Sequence, residues 1–90
     1  MRVIWRPAAL NDRDNIMNYI CQDNPDAAIA LDEVFELKAE QARHQPKLYR
    51  HGRISGTHEI VATPNYVMVY TVVDKNVEVL RILHARQHWP

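Results

Sequence analysis

Along the 90-residue chain, hydrophobic positions first alternate with polar ones, then recur at helical spacing, then crowd into runs. Val3 and Trp5 alternate with Arg2, Ile4 and Arg6, a short strand with one apolar face that Pro7 stops. Leu10, Ile16, Met17, Ile20 and Cys21 recur every three or four positions. They predict a helix from Pro7 or Ala8 to Gln22, since proline is tolerated in a first turn. Asn24-Pro25-Asp26 reads as a second helix start: an asparagine cap, proline at the first helical position, and an acid favoured by the helix dipole. Ala27, Ala28, Leu31, Val34, Phe35, Lys38 and Ala42 form its stripe. It ends before Pro46, which disfavours a helical Gln45. Two antiparallel helices joined by a very short turn are expected.

Beyond Pro46 the pattern changes. Residues 46–57 hold both glycines of the chain and the cations Lys47, Arg50 and Arg53, and read as a loop or irregular edge segment. Glu59 to Thr63 reads as a strand, Pro64-Asn65 as a turn, and Tyr66 to Val73 as a β-branched and aromatic run suited to a central strand buried on both faces. Asp74-Lys75-Asn76 is a hairpin turn, and Val77 to Leu83 its return strand. The resulting α+β order, β-α-α-β-β-β, packs a two-helix hairpin on one face of a small antiparallel sheet that includes the amino-terminal strand. The other face then carries the loop, part of the last strand and the carboxyl-terminal tail.

A chain of 10.5 kDa supports one core, so residues 1–90 are expected to form a single domain. No run approaches the roughly 18 apolar residues of a membrane span, and Met1 to Pro7 lacks a signal-peptide core, so a cytoplasmic location without membrane contact is expected. One cysteine, Cys21, reads as a small core residue, and no Cys or His spacing suggests a metal site or a bound cofactor. The net charge is zero, but it is a cancellation. Residues 1–45 hold five basic and eight acidic groups, residues 46–90 six basic and three acidic groups with four of the five histidines. An acidic helical layer backed by a basic, histidine-rich sheet and tail follows.

The tail from Arg81 to Pro90 concentrates the candidate chemistry. With continued strand alternation His84, Arg86 and His88 share one side, and imidazoles with a guanidinium can serve as acid, base and phosphate clamp in RNA cleavage. A solvated rim with Trp89 folded back over the core explains the same residues, and for the histidines this reading is preferred. Arg81 interrupts the apolar face Val77, Val79, Leu83, and pairing with a carboxylate such as Glu59 is its preferred role. Arg50, Arg53 and His58 line a loop that can contact phosphate, although its glycines also simply permit turns. Tyr66 and Tyr70 are read as packing residues, Tyr19 as core edge.

The whole chain resembles the RelE/ParE superfamily of toxins from type II toxin–antitoxin modules, closest to its ParE-like branch. The phrases that carry the likeness are Tyr19-Ile20, Asp23-Asn24-Pro25-Asp26-Ala27-Ala28, the run Gly52 to Glu59, Asn65 to Tyr70, and above all Ile82 to Pro90. The resemblance implies a toxin neutralised by a cognate antitoxin, with operator DNA met only through that antitoxin. It also implies a target- or antitoxin-binding surface drawn from Arg50, Arg53, His58, Arg81, His84, Arg86, His88 and Trp89. ParE-like members inhibit DNA gyrase; RelE-like and YoeB-like members cut mRNA on the ribosome. For the ribonuclease alternative the resemblance nominates Arg86 and His88, with His84 and Arg53 assisting, and Arg86-Gln87-His88-Trp89 resembles the YoeB-like ending. Where RelE-type enzymes open the central strand with an arginine, this chain has Tyr66-Val67. A superfamily member that has lost its original target and serves mainly to bind its antitoxin is a further alternative.

Overall fold

A computed structural model describes residues 1–90. Its elements are β1 (Val3–Trp5), α1 (Pro7–Cys21), α2 (Pro25–His44), β2 (Arg50–His51), β3 (His58–Thr63), β4 (Tyr66–Val73) and β5 (Asn76–His84). The helices arise as the pattern requires. Asn24 caps α2 by accepting the Ala27 N–H at 3.1 Å, Pro25 opens it, Asp26 lies in its first turn, and Arg43 and His44 close it where cations suit the dipole.

The five strands form one sheet in the order β1-β5-β4-β3-β2, with β4 in the centre. Val67, Met68, Val69 and Tyr70 of β4 are all buried, as a central strand covered on both faces should be. Two features differ from expectation. The sheet is mixed, because β1 runs parallel to β5, with Val3 opposite Val77 and Trp5 opposite Val79. Residues 50–51 also form a short edge strand against Glu59 and His58. Local pattern reports that a strand exists; the direction in which a distant strand docks is set by the helical hairpin that returns the chain.

The helix-side core gathers Ala9, Phe35, Ala39 and Ala42 against Ile60, Ala62, Met68, Tyr70, Val77, Val79 and Ile82. Phe35 meets Tyr66 edge-on at 6.0 Å. The apolar parity of β5 breaks at one place. Arg81 lies opposite Val69 but Val79 opposite Tyr70, so Leu80 is an extra residue, a bulge. Ile82 therefore joins Val77 and Val79 in the helix-side core, while the buried Leu83 belongs to the other face with Val67 and Val69. The stripes on the helices are narrower than expected. Leu10, Tyr19, Cys21 and Ala27 are exposed, because the apolar arc of each helix is wider than the arc the sheet covers. No helix is long and apolar enough to cross a membrane.

Candidate functional site

The arginines and histidines of the second half separate into four places. On the face of the sheet away from the helices, Glu59 is 5% exposed and accepts four hydrogen bonds. Arg50 Nη2 donates to Oε1 at 3.1 Å; Arg53 donates its Nε and its backbone N–H to Oε2, both at 3.0 Å, and its Nη2 to Oε1 at 3.5 Å. Burial pushes the Glu59 carboxyl up, but the Arg53 hydrogen bonds and charge, with the bond from Arg50, outweigh it and hold it below the ordinary value. The carboxylate is ionised; Arg53 of the loop gives it three hydrogen bonds, and Arg50 of β2, whose side chain stays 58% exposed, gives it one.

At the far end of β5 the strand does not continue. His84 to Gln87 form a turn: the Gln87 N–H donates to the His84 carbonyl at 2.9 Å, and the Arg86 N–H to His84 Nδ1 at 3.2 Å. Accepting at Nδ1 places the proton of the neutral ring on Nε2. The His84 ring meets Tyr66 edge-on at 5.6 Å, on the helix-bearing side of the sheet. The alternation that would align His84, Arg86 and His88 is thus lost, because alternation ends where extended backbone ends. Arg53 Nη1 reaches the Gln87 carbonyl at 3.4 Å, which ties the loop to the tail. Arg86 and His88 are exposed, and neither side chain forms an ion pair; Trp89 is half-buried.

Arg81 and His58 lie elsewhere. Arg81 pairs with Asp12 of α1, through Nε at 2.8 Å and Nη2 at 3.0 Å, and not with Glu59. The hydrogen bonds that Arg81 donates to Asp12 raise its guanidinium above the ordinary value. His58 stacks between His51 and Tyr70, with ring centroids at 5.2 and 5.3 Å. Its Nδ1 donates to the Tyr49 carbonyl at 3.1 Å, and the Tyr70 hydroxyl donates to the Pro46 carbonyl. Desolvation, reinforced by Tyr49, pushes Tyr70 up to about 12, so it is a packing group rather than a proton carrier at neutral pH.

The expected basic face therefore shrinks. His58 and His84 belong to the helix-bearing side, Arg81 is drawn to Asp12 of α1, Arg50 and Arg53 share Glu59 with one positive charge in excess, and Arg86 is the exposed cation of the tail. Asp12 and Asn15, which sequence reasoning passed over, join residues it read as packing groups. Asp12, Asn15, Ile16 and Tyr19 recur along one face of α1 and line, with Tyr66, Ile82, His84 and Gln87, a groove of about 270 Å³. Their spacing was the available signal; the polar residues in it masked the stripe.

Residues 3–89 match the family model described as "ParE toxin of type II toxin-antitoxin system, parDE". The chain is 36% identical over 90 residues to the Sinorhizobium fredii protein named as toxin Y4kP, covering 99% of this chain and 93% of that one. It is 34% identical over 86 residues to toxin RelE2 of Caulobacter vibrioides, covering 93% and 94%. Among solved structures, a chain of the chromosomal ParDE toxin–antitoxin system from P. aeruginosa superposes with a TM-score of 0.75 at 19% identity, over 93% of this chain and 95% of that one.

Proposed function

The chain belongs to the ParE toxin family and is a toxin of a type II toxin–antitoxin system, and from that premise we propose that its target is DNA gyrase, which it inhibits without cleaving RNA. The observation that carries this reading is the commitment of Arg50 and Arg53 to Glu59. RNA cleavage needs a cation free to stabilise the phosphorane and an imidazole placed beside it. Here Arg53 is held by a buried carboxylate, His84 has its Nδ1 occupied, and Arg86, though free of any ion pair, has no hydrogen bond that sets it beside His88. The first residues of β4, Tyr66 and Val67, add no guanidinium.

The tail, with exposed Arg86 and His88 and half-buried Trp89, is the proposed contact with the target, in the cytoplasm. A cognate antitoxin is the proposed neutralising partner, since the P. aeruginosa neighbour comes from a toxin–antitoxin system. Operator DNA is reached only through that antitoxin.

A supercoiling assay with purified toxin tests the reading. Inhibition or trapped cleaved DNA, relieved by the antitoxin and weakened on the order of tenfold in Arg86→Ala, is the expected result, as loss of one charged contact at a protein interface. Normal supercoiling at large molar excess overturns it. Cleavage of ribosome-bound mRNA that His88→Ala abolishes would instead establish the ribonuclease alternative.

A further inference from the structure

Two arginines converging on one anion make an arrangement that ordinarily recognises phosphate, because the guanidinium fork matches an anionic oxygen pair. In this fold the anion is built in. Glu59 lies in β3 opposite Arg50 of β2, so sheet register places these two side chains on the same face. The second arginine is aimed by its loop. The Gly52 N–H bonds the Thr57 carbonyl at 2.8 Å, and a Cβ on Gly52 would collide with Thr57 Oγ1, which is held by the Ile54 carbonyl, so the closure calls for glycine. Gly56, at φ +83°, turns the chain back. The closed loop points the backbone N–H of Arg53, and then its side chain, at the carboxylate.

We propose that Glu59 is a specificity determinant: it occupies Arg50 and Arg53 so that this face of the toxin rejects nucleic acid. The inference rests on the reading of a protein target. A phosphate approaching the pair must displace a buried, hydrogen-bonded carboxylate or sit beside its negative charge, and both are unfavourable. With the charge of Glu59 removed, the same two guanidinium groups become a phosphate clamp on a face that already adjoins the exposed Arg86 tail through the Arg53 bond to Gln87.

The test measures binding of the whole protein to a single-stranded uridine oligonucleotide by fluorescence anisotropy at low and moderate salt. Glu59→Gln, with its thermal transition recorded, is expected to bind on the order of tenfold more tightly than the unmodified protein at low salt. The slope of log K against log salt should steepen by about 1.4, the value for two added phosphate contacts on a single strand. Adding Arg50→Ala and Arg53→Ala to that variant should reverse both changes. In the otherwise unmodified protein, Arg50→Ala should leave RNA affinity within about twofold, because Arg50 already gives its Nη2 to Glu59, whose negative charge lies beside it. A folded Glu59→Gln that gains no affinity overturns the proposal. So does a several-fold loss from Arg50→Ala alone, and that arm decides the matter if Glu59→Gln does not fold. A toxin without effect on supercoiling would remove the gyrase reading while leaving the RNA result to stand or fall on its own.

Discussion

Asp12 of α1 holds Arg81 of β5, 69 positions away, through two hydrogen bonds of 2.8 and 3.0 Å, and its Oδ2 also accepts the Ile82 N–H at 2.9 Å. One carboxylate thus fastens the first helix to the last strand at the point where the bulge at Leu80 has opened the ladder. It satisfies a guanidinium and a backbone donor that the bulge would otherwise leave poorly placed.

Asp12→Ala should therefore cost about 2 kcal/mol, more than an exposed surface pair is worth, because a partly buried guanidinium and an N–H both lose their acceptor. Urea denaturation of Asp12→Ala, Arg81→Met and the double variant measures this. The double variant should cost clearly less than the sum of the singles. Additive costs would show that the pair contributes nothing as a pair.

Acid should destabilise the protein through Glu59. Its folded value lies below the ordinary 4.5, so the stabilisation is fully present above that pH and is lost as pH falls through the lowered folded value. Thermal transitions recorded from pH 7 down to pH 3 should fall more steeply for the unmodified protein than for Glu59→Gln, which has no proton to take up. Parallel curves would mean that another carboxylate governs the acid limb.

The β4–β5 turn carries strain that a glycine can relieve. Asp74 and Lys75 both have positive φ, 49° and 65°, a two-residue hairpin geometry normally filled by Asn-Gly or Asp-Gly. Lys75→Gly should stabilise the fold by about 0.5 to 1 kcal/mol, since a β-carbon is disfavoured in this left-handed region. Lys75→Val should destabilise it, and calorimetry of the two variants separates the outcomes. An unchanged midpoint in both would mean that the turn relaxes without cost.

Much of this architecture was legible locally. The asparagine cap, the proline at the first helical position and the apolar stripe placed α2 over Pro25–His44, and the β-branched run located β4 as Tyr66–Val73, the central strand. The candidate site was less legible. Arg81 was correctly marked as a residue in need of a carboxylate, but the partner is Asp12 rather than Glu59. Strict alternation from the apolar positions Val77 and Val79 puts His84 on the opposite face from them, whereas the bulge at Leu80 changes the parity and brings its ring against Tyr66.

Elements, their ends and the family likeness belong to the sequence itself, because capping, periodicity and turn chemistry act between residues a few positions apart. Which charges remain available to a partner was decided only by tertiary structure. The second half of the chain carries twice as many cations as acids, yet Glu59 takes Arg50 and Arg53, and Asp12 from the acidic half takes Arg81. Coulombic and hydrogen-bond pairing depends on distance in space and on burial, so a count along the chain gives the charge but not which part of it faces solvent.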